Sequence, residues 1–138
     1  MSSAGNPQDR SRAAKAAATF EGGRNIAMKV PPHQYDATVR FYRDVLGLKP
    51  ADGVAEETAA FEFGANTLWI DEVPTMSQAE LWLELVTDDT AAAGRLLAEA
   101  GVSRCDAIEA LANDFDGFWI SSPASIVHLV DAEGSSPQ

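Results

Sequence analysis

An α+β chain of two tandem β-α-β-β-β modules is predicted by three features of the sequence. First, Asn25-Ile26-Ala27-Met28-Lys29-Val30 has Ile26, Met28 and Val30 on one face and Asn25, Ala27 and Lys29 on the other, the period of a half-buried strand. A helical run carrying Val39, Phe41, Tyr42, Val45 and Leu46 follows, and Gly47 closes it. Second, Glu80-Leu81-Trp82-Leu83-Glu84-Leu85 alternates in the same phase and leads into a helical run, Thr90 to Ala100, closed by Gly101. Third, the two copies keep a nearly constant offset: 55 residues from Asn25 to Glu80 and from Val30 to Leu85, and 54 from Gly47 to Gly101. Repetition at a fixed period marks a duplicated unit that cannot bury its apolar side alone.

Taken in order, residues 1–23 precede the repeat. Ser11 to Phe20 is alanine-rich and helix-prone but offers few large apolar anchors, so it reads as a frayed tail or as an arm on a partner subunit. Gly22-Gly23 reads as a hinge. Pro31 and Pro32 end the first strand, and Asp36 can cap the first helix. A turn-rich stretch from Lys49 to Gly53 surrounds a short strand. Strands Thr58 to Phe63 and Asn66 to Glu72 are then joined at Gly64-Ala65. Val73 to Ser77 links the modules, which span Asn25–Val73 and Met76–Val130 within a domain of residues 24–131. The second module should repeat the order, with strands near Cys105 to Leu111, Gly117 to Ser121 and Ser125 to Val130. A C-terminal tail of residues 132–138 follows.

With 138 residues, 46% hydrophobic and 22% charged, the chain can bury a sizeable core. No apolar run is long enough to cross a bilayer, and the N-terminus lacks the apolar stretch of a secretory signal. One cysteine, Cys105, cannot form an intrachain disulfide and fits a reducing compartment, so a cytoplasmic location is expected. The formal net charge of −11 disfavours nucleic acid and anionic membranes. It serves solubility, or it attracts a basic small molecule. No Gly-rich phosphate loop, G-x-S-x-G elbow or C-x-x-C pair is present, which sets aside nucleotide cofactors and serine hydrolase chemistry.

The string VRFYRDVLGL after such a strand, with a degenerate copy one module later, resembles the glyoxalase/bleomycin-resistance/extradiol-dioxygenase (vicinal oxygen chelate) superfamily over about Asn25 to Val130. The resemblance implies a helix on the outer face of each curved sheet, inner faces that form a ligand-holding cup, and a homodimer. Some relatives sequester cationic antibiotics. Metal-dependent relatives hold a divalent ion with one His or Glu from each of four strands, and the matching positions here are Asn25, Trp69, Glu80 and His128. Of these only Glu80 and His128 are ordinary ligands. Asp71 can complete a set only by departing from the family geometry. No cofactor is therefore expected, a divalent metal being the alternative.

Strand phase then selects the residues of the cup. The core faces are Ile26, Met28 and Val30, and Leu81, Leu83 and Leu85. Asn25, Ala27 and Lys29, Thr67, Trp69 and Asp71, Glu80, Trp82 and Glu84, and Ile126, His128 and Val130 face the cup, His128 being matched to Trp69. Each has a plainer reading. His128 can be a histidine hydrogen-bonded within its strand, Glu80 a solvated strand-edge charge, and Trp69, Trp82 and Trp119 core residues. Two function classes follow. One is a protein that binds a small aromatic or cationic molecule with Asn25, Trp69, Asp71, Trp82 and Glu84. The other is a superfamily enzyme (a lyase, isomerase or dioxygenase) that uses Glu80 and His128 as metal ligands or as an acid–base pair.

Overall fold

A computed structural model describes residues 18–134. The elements run β1 (Phe20–Val30), α1 (Pro32–Arg40) continued by a π-helical turn (Phe41–Val45), β2 (Ala59–Phe63), β3 (Asn66–Glu72), β4 (Glu80–Thr87), α2 (Thr90–Glu99), β5 (Ser103–Arg104), a 3₁₀ turn (Asp106–Ile108), β6 (Gly117–Ser121) and β7 (Val127–Ala132). The chain is α+β, as its periodicity predicts. Most of the expected N-terminal arm and the end of the C-terminal tail lie outside the described residues. β1 begins at Phe20, so Gly22 and Gly23 are strand residues and not the expected hinge. No described helix is long and apolar enough to cross a membrane.

The chain divides into two compact units. Gly23–Glu84 makes the first, and the described residues before Gly23 and after Glu84 make the second. The division falls within β1 and β4, not at the predicted Val73–Ser77 linker.

In the first unit the strand order is β2-β3-β1-β4. β1 runs parallel to β3, and β2 antiparallel to it. Val30, Phe61, Leu68 and Ile70 are buried, and Ile26, Met28, Tyr35, Val39, Tyr42 and Leu48 pack against them. The predicted core face of β1 is therefore the one that meets α1. Pro31, in extended geometry, is the residue that starts α1, with Pro32 in the first turn. This corrects Asp36 as the cap: proline at the first helical position has its φ preset and loses no needed donor, so the helix begins a turn earlier. Beyond Arg40 the hydrogen bonding widens, Leu46 N–H donating to Phe41 O at 2.9 Å, and Gly47 ends the turn with φ +68°.

In the second unit the order is β4-β7-β6-β5. The Asp89 carboxylate caps α2 by accepting from Ala92 N–H at 2.9 Å. Ala92 and Ala93 of that helix pack on Phe118, Ile120 and Val130, with Phe20, Leu85, Leu97 and Val102 around them. The strand expected from Cys105 to Leu111 is reduced to Ser103–Arg104. Beyond it the Asp106 carboxylate accepts from Trp119 N–H at 3.0 Å and from Arg104, which turns the chain out of the ladder.

β4 departs from the expectation in burial, though not in phase. Leu81 and Leu83, read as core residues, are 47% and 38% exposed, and neither belongs to the apolar cluster under α1. Only Leu85 on that face meets a helix-backed core. Leu68→Ala should therefore lower the stability measured by chemical denaturation by about 2–5 kcal/mol. Leu83→Ala should lower it by less than about 1 kcal/mol.

Candidate functional site

The face of the first unit turned away from α1 follows from the alternation of β1. Because Ile26, Met28 and Val30 join the core, Asn25, Ala27 and Lys29 take the opposite face. The parallel register sets Asn25 beside Thr67, Ala27 beside Trp69 and Lys29 beside Asp71. Trp82 and Glu84 of β4 present to the same face, as their contacts with β1 show, and Glu80 has the same phase and bonds to Trp82.

Two hydrogen-bonded groups organise this face. In one, Trp69 Nε1–H donates to Asn25 Oδ1 at 2.8 Å, while Asn25 Nδ2 and Asn25 N both donate to Glu84 Oε1 at 3.1 Å. Glu84 is only 7% exposed. Gly23 makes its position possible, because a Cβ there would overlap the Glu84 carboxylate and its Cγ. In the other group, Lys29 Nζ donates to Asp71 Oδ2 at 2.8 Å and stands 4.4 Å above the centroid of the Trp82 ring. Trp82 Nε1–H in turn donates to Glu80 Oε1 at 2.9 Å. A buried ammonium needs such company, since its desolvation is offset only by a counter-charge, hydrogen bonds or an aromatic face. The Tyr35 phenol is held above its ordinary pKa by burial first and then by the charges of Asp71, Glu72 and Asp36.

Of the residues singled out in the sequence, Asn25, Trp69, Asp71, Glu80, Trp82 and Glu84 all lie on this one face. Trp82, expected to line an open site, is 4% exposed and covered by Lys29. Trp69 is half-buried. Lys29 had the right phase but was not singled out as a site residue, and Gly23 gave no signal beyond the Gly-Gly pair.

His128 belongs to the second unit, where its face differs from the expected one. β6 and β7 pair antiparallel with Phe118 beside Val130, Trp119 beside Leu129 and Ile120 beside His128. Directly paired residues share a face. His128 is thus on the side of Phe118, Ile120 and Val130, which pack on α2, and Leu129 has the phase given to His128. The Nδ1 of His128 meets the Ile126 carbonyl at 3.0 Å, so Nδ1–H donates there, the plainer of its two readings.

A divalent ion fits these residues poorly. Asn25 and Trp69, two of the four positions that match metal ligands, are bonded to each other. The Asn25 amide nitrogen, which carries no free lone pair, donates to Glu84. Among the described residues no group of three or more His, Cys, Asp or Glu side chains is placed to hold a metal ion.

Gly23→Ala should push Glu84 off Asn25 and lower stability by about 1–3 kcal/mol, the range for a buried polar group that loses its partner. In a Glu84→Ala background the same substitution should cost much less, because the space is then empty. Chemical denaturation of the two single variants and the double variant measures that coupling.

No family model matches the sequence, and no curated protein does either. Solved structures do. The Mn(II)-bound glyoxalase from Novosphingobium aromaticivorans is similar at 20% identity with a TM-score of 0.59, over 86% of this chain and 40% of that one. A homoprotocatechuate 2,3-dioxygenase variant from B. fuscum is similar at 18% identity with a TM-score of 0.57, over 87% of this chain and 34% of that one. This chain thus spans about two fifths and one third of those two proteins. A glyoxalase/bleomycin resistance protein/dioxygenase superfamily member from Vibrio splendidus 12B01 is similar at 12% identity with a TM-score of 0.53, over 83% of this chain and 100% of that one. The chain has the fold of the glyoxalase/bleomycin resistance/dioxygenase superfamily.

Proposed function

We propose that the chain binds a small, planar aromatic or cationic molecule on the polar face of the first unit, with Trp69 as the platform and without a resident metal. The observation that carries this reading is the state of the Trp69 indole. Its one polar atom is already engaged by Asn25, and the residue is only half-buried, so the surface left to a ligand is aromatic ring. The exposed Glu80 lies on the same face, and the net charge of −11 favours the approach of cations. Trp82 supports the site from below through Lys29 and Asp71. The enzymatic alternative rests on Glu80 and His128, and within its own unit His128 shares the side of Phe118, Ile120 and Val130 that packs on α2.

Fluorescence titration with planar aromatic compounds tests this. Saturable quenching should occur in the wild type and in Trp119→Phe, and it should be lost in Trp69→Phe. Elemental analysis of dialysed protein should find no stoichiometric manganese, iron, nickel or zinc. Quenching that survives Trp69→Phe would overturn the ligand platform. A stoichiometric metal that disappears in Glu80→Ala would favour the enzyme.

A further inference from the structure

The charge on Glu84 is not needed by the groups that hold it. Its carboxylate is 7% exposed, and its hydrogen bonds, from Asn25 N–H and Asn25 Nδ2–H, are both neutral and both fall on Oε1. A glutamine in the same rotamer would accept both through its amide oxygen, so the local architecture asks for an acceptor and not for an anion. Among the described residues Glu84 forms no ion pair, and Lys29, the buried cation of this face, is bonded to Asp71. An anion removed from water and met only by neutral donors draws in an opposite charge.

From this we infer that Glu84 recognises the cationic group of the ligand: a protonated amine or amidinium whose aromatic body rests on Trp69. This deepens the reading of Trp69 as a platform and rests on it. Asn25 couples the two, because its one side chain is bonded to the Trp69 indole through Oδ1 and to Glu84 through Nδ2. The spacing of platform and anion is thereby fixed, and the second carboxylate oxygen, Oε2, is left to accept from the ligand. The ligand class is narrowed accordingly to aromatic cations. Neutral aromatics lack the charge, and aromatic carboxylates would add a further anion to the face that already carries Glu84 and Glu80. Gly23 serves the same arrangement by leaving room for the carboxylate.

Calorimetric titration with a matched pair, naphthylmethylamine (protonated at neutral pH) and naphthylmethanol (neutral, of the same shape), tests the assignment. The wild type should bind the amine at least about tenfold more tightly than the alcohol, with a preference that shrinks as salt is raised. Glu84→Gln should bind both with the affinity the wild type shows for the alcohol. A preference that survives in a folded Glu84→Gln protein overturns the role of Glu84. Equal binding of both compounds by the wild type overturns it without any variant, and leaves the Trp69 platform standing. Binding of neither compound removes the platform and this inference together.

Discussion

Polar side chains on a sheet face must satisfy one another before they can serve anything else, and on the first unit that requirement begins with Glu84. Its carboxylate lies across β1 only because Gly23 has no Cβ to block it. Once there it takes both nitrogens of Asn25, which leaves Asn25 Oδ1 to fix the Trp69 indole. Lys29 obeys the same rule from the other end of the strand, where Asp71 supplies the counter-charge and Trp82 the aromatic floor. Loss of one member leaves a desolvated group without a partner, which costs more than the bond contributes when intact. The face is best treated as two networks, each coupled within itself, rather than as a set of independent residues.

The fold is also that of a Mn(II)-bound glyoxalase and a dioxygenase, and a fold does not by itself fix the chemistry of the face it presents. At two of the positions that the resemblance matches to metal ligands, this chain has an amide and an indole that hydrogen-bond to each other. The scaffold, with strands on one side and a helix on the other, is retained. The face it presents carries Trp69 and Trp82 together with the carboxylates of Asp71, Glu80 and Glu84.

Much of this was legible in the sequence because period-2 alternation is set by backbone geometry. β3 begins at Asn66 and ends at Glu72, and β6 spans Gly117 to Ser121, as the alternation and turn residues predict. The first-unit face was legible for the same reason: Asn25, Trp69, Asp71, Glu80, Trp82 and Glu84 share it. Burial was less legible, since phase says which residues share a side but not what covers that side. Leu81 and Leu83 are exposed, while Trp82, on the opposite side, is buried and covered by Lys29. The face of His128 was missed by one residue. Matching SIVHLV to NTLWID set it on Trp69, whereas matching Asp131 to Asp71 sets Leu129 there and agrees with the observed pairing to Trp119. In a strand a slip of one residue reverses every side chain.

Hydrogen exchange of the Trp69 indole N–H, followed by NMR and assigned through Trp69→Phe, tests most directly whether Glu84, Asn25 and Trp69 form one network. In the wild type the Trp69 indole proton should be protected, and in Gly23→Ala, where Glu84 is displaced from Asn25, its protection should fall. An indole proton that exchanges as fast as free indole in the wild type, or one that is equally protected in Gly23→Ala, would contradict it.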